Sequence, residues 1–257
     1  MSNNLNIAIV QTELVWEQPE KNRNHISKLI EALEPNVDLV LLPEMFTTGF
    51  TMHPENIDAT EGTKTLDWMR NLAIEKQIAI SGSIVFNENG IYYNRLFFVE
   101  PDNVSVYDKR HTFTLAGESE VYTAGTTKMV IDFKGFKICP LICYDLRFPV
   151  WSRNVESYDV LIYVANWPKP RIKAWDVLLK ARAIENMAYC VGVNRIGIDQ
   201  LGHEYPGHSA VYNALGEELL FTKNPEIGYV TLHKDHIHTT REKLKFLADQ
   251  DTFSLEE

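Results

Sequence analysis

Short aliphatic or β-branched runs, each ended by a polar or reactive residue, recur along the chain. The run 7–10 stops at Gln11, 37–42 at Pro43 and Glu44, 136–142 at Cys143, and 160–164 at Ala165 and Asn166. The runs 78–84, 96–99 and 104–107 have the same character, the last leading into Asp108 and Lys109. Near-continuous apolar runs of this length predict strands buried on both faces. Between them, apolar residues recur at three- and four-residue spacing: Ile26, Leu29, Ile30 and Leu33 in 19–33, Leu66, Met69 and Ala73 in 63–76, Trp175, Leu178 and Leu179 in 173–188. That spacing predicts amphipathic helices, with Pro19 suited to a first turn. The alternation predicts an α/β layered domain. After Gly202 the pattern loosens into shorter strands at 209–212, 218–221 and 229–232 and then a polar tail. No low-complexity stretch or Gly/Ser linker divides the chain, so one domain over 1–257 is expected, with a core over about 5–235 and a tail over about 236–257. The stretches 37–43 and 158–164 echo each other, as two copies of one α/β layer would.

Composition narrows the function classes. The chain has 257 residues, 45% hydrophobic and 23% charged, an ordinary globular composition. Its net charge of −10 argues against nucleic acid or an anionic membrane as partner, since the longest basic cluster is Lys109-Arg110-His111. Three cysteines (Cys139, Cys143, Cys190) give no disulfide framework, which fits a reducing, cytoplasmic setting. The N-terminus lacks a basic region before its short apolar run and reads as a first strand. No apolar run approaches the roughly 20 residues that cross a bilayer.

Ends of parallel strands are where α/β folds place ligands. Glu44, Lys109 and Cys143 occupy such ends. Singly, each has an ordinary explanation as a loop charge or a packed thiol; together they compose a nucleophile, a base and an electrostatic clamp. A strand runs into Cys143 and a turn or helix should start there, placing the thiol at a positive dipole end that favours thiolate. The Tyr144 N–H would face a developing oxyanion. Cys139 and Cys190 read as packing. Among eight histidines only His111 adjoins another candidate, and nothing else marks it as the base. Glu44 follows an apolar run, so its carboxylate is expected to be desolvated, the condition under which it can accept and return protons. Lys109 would stabilise oxyanion and thiolate. His233, His236 and His238 are the one tight histidine cluster, without a carboxylate-rich partner, so no metal is expected.

The stretches Leu-Leu-Pro-Glu44, Tyr-Asp-Lys109-Arg-His and Ile-Cys143-Tyr-Asp-Leu-Arg-Phe-Pro resemble, in type, order and spacing, the signature segments of the nitrilase superfamily of carbon–nitrogen hydrolases. The similarity extends from residues 7–11 through 180–186 to 207–216. It implies a four-layer α-β-β-α sandwich, a Glu-Lys-Cys triad, no metal or cofactor, and subunits paired sandwich to sandwich as a homodimer or larger homo-oligomer, with the tail a candidate for that interface. The family often adds a second glutamate after the lysine; Glu118 matches best and Glu120 is its rival. Residues 143–147 and 163–168 look most like the ω-amidase branch, which implies a small 2-oxo acid amide such as 2-oxoglutaramate as substrate, cleaved to acid and ammonia through a cysteine thioester. Arg147 could fork onto the far carboxylate of such a substrate, or pair structurally with Asp145 or Asp159. Phe113, Tyr144 and Trp167 are candidates for the pocket wall. The alternatives are a carbamoylase, nitrilase or peptide-derived amidase with the same catalytic residues, or a non-catalytic binding subunit on the same fold.

Overall fold

The computed structural model describes residues 3–255. Strands β1 (Asn4–Gln11), β2 (Leu39–Leu41), β3 (Ala79–Glu88), β4 (Ile91–Val99) and β5 (Val104–Asp108) lie side by side in chain order. The second sheet takes β6 (Ile131–Phe133), β7 (Phe136–Ile142), β8 (Val160–Ala165) and β9 (Tyr189–Asn194). After a separate two-stranded ribbon, β10 (Ile196–Ile198) and β11 (Glu204–Pro206), that sheet is completed by β12 (Ser209–Tyr212) and β13 (Glu218–Thr222). The chain then returns to the first sheet as β14 (Glu226–His233), antiparallel to β1. The two six-stranded sheets have one plan. Each has a parallel trio (β1-β2-β3, β7-β8-β9), two antiparallel strands on one side (β4-β5, β12-β13) and one on the other (β14, β6). The echoing stretches 37–43 and 158–164 supply β2 and β8, the central strand of each trio.

Period-two alternation sorts the apolar residues into layers. Leu5, Ile7 and Ile9 of β1, Leu39 and Leu41 of β2, and Leu96 and Phe98 of β4 join the cluster shared with the second sheet. Their neighbours Ala8, Val10, Val40, Phe97 and Val99 face the other way. There they meet Ile26 and Ile30 of helix α1 (Pro19–Glu31) and Leu66, Met69 and Ala73 of α2 (Glu61–Lys76). Full burial of each such aliphatic side chain contributes about 1.5–3 kcal/mol. Short helices α3 (Glu118–Val121) and α4 (Pro149–Ser152) lie in loops, and α5 (Ile172–Asn186) covers the outer face of the second sheet. Gly192 of β9 lets α5 sit close: a Cβ there would stand 2.4 Å from Leu179 and 2.7 Å from Trp175. Helices therefore flank two facing mixed sheets, the four-layer α-β-β-α sandwich. The last helix, α6 (Lys234–Leu244), is polar along most of its length and buries Ile237 and Thr240. Among the described residues no helix is long and apolar enough to cross a membrane.

Candidate active site

Both sheets deliver side chains to one place. Glu44 lies just beyond β2, and Met45 after it has φ 43°, which turns the chain sharply. Lys109 follows β5 directly; its N–H donates to the Asn94 carbonyl at 3.0 Å and its carbonyl accepts from the Gly125 N–H at 2.9 Å. Only glycine fits at 125, because a Cβ would lie 2.2 Å from the Asp108 carbonyl oxygen. Cys143 directly follows β7 and opens a 3-10 turn, Cys143–Arg147, with φ 44°, a left-handed conformation uncommon for a residue bearing a side chain. Such outliers persist where surrounding contacts over-determine them. Asp145 supplies those contacts. Its buried carboxylate accepts from the Ile142 N–H (3.0 Å), the His111 N–H (3.0 Å) and the Tyr107 hydroxyl (2.7 Å), and Oδ1 is 2.8 Å from His111 Nδ1. One carboxylate thus ties the residue before Cys143 to the segment just after Lys109.

The three expected side chains converge, and Glu118 joins them. The Cys143 thiol lies within electrostatic reach of Glu44, Lys109 and Glu118. Glu44 Oε1 accepts from Lys109 Nζ at 2.8 Å and from Asn94 Nδ2 at 2.8 Å, while Oε2 accepts from the Asn166 N–H at 2.8 Å. Asn166 Nδ2 also donates to the Glu44 carbonyl at 2.6 Å, so one residue grips both ends of Glu44. Lys109 Nζ donates to Glu118 Oε1 (3.0 Å) and Oε2 (2.8 Å), and Asn94 Nδ2 reaches Glu118 Oε1 at 3.1 Å. Glu44, Lys109 and Glu118 are at most 1% exposed. Glu120, the rival for the second position, points outward and is exposed.

Burial and charge set the protonation of this cluster. Burial acts to lower the Lys109 ammonium, but Glu118 and Glu44 outweigh it and hold the group above the ordinary lysine range, hence charged. Burial raises Glu118, with Lys109 opposing and Glu44 reinforcing. Burial and then the Glu44 carboxylate push the Cys143 thiol well above its usual range, against the pull of Lys109. This corrects the expectation of a resting thiolate: a five-residue 3-10 turn carries little dipole, and burial together with the Glu44 charge outweighs the pull of Lys109. Burial and the neighbouring Glu44 favour the thiol form of Cys143 at rest. Cys139 and Cys190 are fully buried within strands, as packing residues are.

A cavity of about 320 Å³ opens onto Cys143 and Lys109. Phe113, Tyr144, Arg147 and Trp167 all line it, as the sequence suggested. The Arg147 guanidinium lies 5.0 Å from the Trp167 ring centroid. It pairs with neither proposed acid: Asp145 is held as described, and Asp159 is engaged by Lys234 and Arg241. His111, stacked on Phe148 at 3.7 Å between centroids, stands behind the pocket and bonds Asp145, not Cys143. The histidine cluster is elsewhere, with His233 Nδ1 2.9 Å from Asn4 Oδ1, and no group of three or more His, Cys, Asp or Glu among the described residues is arranged to hold a metal ion. Sequence reasoning missed Asn94, Asp145, Asn166 and Arg171, the last another cavity-lining guanidinium. The one available signal was polar residues embedded in or ending apolar strands, as at Asn94 and Asn166.

The carbon-nitrogen hydrolase family model matches residues 6–242. The chain belongs to the carbon–nitrogen hydrolase family. An omega-amidase YafV of Yersinia enterocolitica is 41% identical over 254 residues, covering 98% of each chain, and a 2-oxoglutaramate amidase of Bacillus subtilis is 30% identical over 219 residues, covering 83% of this chain and 84% of that one. The crystal structure of XC1258 from Xanthomonas campestris, a CN-hydrolase superfamily protein with an arsenic adduct in its active site, superposes with a TM-score of 0.95 at 36% identity, covering 99% of this chain and all of that one. This carbon–nitrogen hydrolase is an amidase-type enzyme built as a single sandwich domain.

Proposed function

We propose that the enzyme is an ω-amidase: it cleaves the terminal amide of a small 2-oxo acid of the 2-oxoglutaramate kind, with Cys143 as nucleophile, Glu44 as proton carrier and Lys109 as electrostatic clamp. The observation that carries this reading is Lys109 Nζ standing 2.8 Å from Glu44 Oε1 while Lys109 and Cys143 line the same cavity. Glu44 takes the thiol proton as sulfur attacks the amide carbon. The carbonyl oxygen becomes an oxyanion, stabilised by Lys109 and the Tyr144 N–H. The C–N bond breaks, Glu44 passes its proton to the departing nitrogen, and ammonia leaves a thioester behind. Water then gives a proton to Glu44 while its oxygen attacks the thioester. The C–S bond breaks, the acid is released, and the proton returns to sulfur. Glu118 keeps Lys109 charged and fixed.

Similarity to an omega-amidase and to a 2-oxoglutaramate amidase supports this substrate class, and so does Arg147, a guanidinium in the cavity that forms no ion pair among the described residues and is suited to a carboxylate at the far end of a short chain. The test is ammonia release from 2-oxoglutaramate, glutamine, asparagine and simple nitriles. A clear preference in kcat/KM for 2-oxoglutaramate is expected; a preference for a nitrile would replace this reading with another branch of the superfamily. The Arg147→Ala variant should raise KM for the 2-oxo acid amide by about 10- to 100-fold, as loss of a charge-assisted contact does, and far more than for a neutral amide. Equal effects on both would remove Arg147 from carboxylate recognition.

A further inference from the structure

The cavity above Cys143 holds more positive charge than one carboxylate needs. Its charged lining is Lys109, Arg147, Arg171 and Asp199, with His203 at its edge. Lys109 is taken up by Glu44 and Glu118. Asp199 has no oxygen to spare: Oδ1 accepts from the Leu201 and His203 N–H groups (both 2.9 Å), and Oδ2 accepts from the Tyr205 hydroxyl (2.9 Å) and lies 3.2 Å from His203 Nδ1. The other acid near Arg171, Glu204, is paired with Lys169. Arg147 and Arg171 therefore remain as half-buried guanidiniums, and among the described residues neither forms an ion pair with a carboxylate.

Both are held ready. Arg171 lies with its Cζ 5.0 Å from the Phe113 ring centroid, and Arg147 has the same 5.0 Å relation to Trp167. Trp167 links the two, because its ring carries Arg147 while its Nε1–H donates to the Arg171 carbonyl at 2.8 Å. Pro168 and Pro170 restrict the backbone leading to Arg171, and the Arg171 N–H closes that turn on the Pro168 carbonyl at 3.0 Å. Phe113 is fixed in turn, its N–H donating to Glu118 and its ring packed on Tyr144 at 4.9 Å. Two planar cations stacked on rings and denied acid partners match a ligand with two oxygen acceptors side by side. An ammonium group in the same place would meet two guanidiniums, and the one carboxylate in the cavity lining, Asp199, already accepts from Leu201, His203 and Tyr205.

We propose that Arg171 is a specificity-determining residue of this site, acting with Arg147 as a two-guanidinium receptor for a substrate whose carboxylate adjoins a second oxygen acceptor in place of an ammonium group. This rests on the amidase reading above and adds to it the residue that separates 2-oxo acid amides from their 2-amino counterparts. Arg147 holds the carboxylate; Arg171 takes the neighbouring oxygen and excludes the ammonium.

The experiment measures kcat/KM of the parent, Arg171→Ala and Arg171→Lys enzymes with 2-oxoglutaramate, glutamine and pentanamide, which share a five-carbon backbone and a terminal amide. It also measures binding of 2-oxoglutarate, as a probe that cannot turn over, by calorimetry. Arg171→Ala should lose about 10- to 100-fold on 2-oxoglutaramate, mostly in KM, and at least about tenfold less on pentanamide, so that the ratio of 2-oxoglutaramate to glutamine use falls about tenfold. Arg171→Lys should restore part of the loss, since it keeps the charge and loses the fork. Binding of 2-oxoglutarate should weaken about tenfold in Arg171→Ala. Equal losses on all three amides, or unchanged 2-oxoglutarate binding, would overturn the receptor while leaving the amidase intact. Arg171-dependent 2-oxoglutarate binding in an enzyme that hydrolyses none of the amides would uphold the receptor and overturn the amidase reading.

Discussion

The Cys143→Ala variant is expected to release ammonia about five orders of magnitude more slowly than the parent enzyme while keeping its fold. Residues that act as one catalytic unit lose nearly all rate enhancement when the nucleophile goes, so a loss of this size is appropriate. The fold should survive for local reasons. Alanine and cysteine both carry a Cβ, so the cost of φ 44° is similar for each, and removing the sulfur leaves Glu44 with its bonds to Lys109, Asn94 and the Asn166 N–H. Cys143→Ser should be nearly as inactive, although a hydroxyl stands where the thiol was. Its proton is far harder to remove, and a buried site with a neighbouring carboxylate makes an alkoxide worse still. An ammonia assay alongside a circular-dichroism melt checks both halves. Turnover above about one per cent of the parent rate in Cys143→Ala, well outside the loss expected for a nucleophile, would move the chemistry to another residue.

Glu44→Gln should cost about three to four orders of magnitude in kcat, the upper end of what a positioned proton carrier supplies, because in the proposed mechanism this residue handles the proton in both halves of the reaction. Since thiol and carboxylate work as a unit, the double variant with Cys143→Ala should be hardly slower than Cys143→Ala alone. Stability should also fall. Glu44 Oε1 receives two donors and Oε2 receives the Asn166 N–H, so either orientation of a glutamine amide turns its NH₂ toward another donor. A buried donor left unsatisfied costs about 1–3 kcal/mol, which in a chain of this size lowers Tm by roughly 2–12 °C. Activity assays on the pure variant, with a thermal melt, read both effects. A Glu44→Gln enzyme of parental kcat would remove Glu44 as proton carrier, whatever its Tm.

Much of the site was legible because its principal residues stand where strands stop. Glu44, Lys109 and Cys143 each end or closely follow an apolar run, and runs buried on both faces are the clearest signal in this sequence. Helix positions were readable for the same reason: the expected 19–33, 63–76 and 173–188 are observed as α1 (Pro19–Glu31), α2 (Glu61–Lys76) and α5 (Ile172–Asn186). The three-residue strands β6, β10 and β11 carry too few positions to show a period, and α6 has too few buried residues to show an apolar stripe. Asn94 escaped notice, and Asn166 was read only as a strand end, because their meaning lies in Glu44, 50 and 122 positions away in the chain. Glu118 and Glu120 could not be ranked from sequence, since two residues along a four-residue helix decide which carboxylate turns inward to Lys109 and which meets solvent. The protonation of Cys143 was misjudged because a thiol at the start of a turn was considered without the burial and the carboxylate that accompany it.

The first sheet brings Glu44, Asn94 and Lys109; the second brings Cys143 and Asn166. Neither half of the chain holds a reaction centre of its own, and the parts meet only when two slabs interlock through the apolar layer between them. On the proposed mechanism, catalysis in this enzyme is therefore a gauge of tertiary docking. A swollen intermediate that kept every strand hydrogen-bonded but let the slabs drift apart would look native to far-ultraviolet spectroscopy, yet hydrolyse nothing.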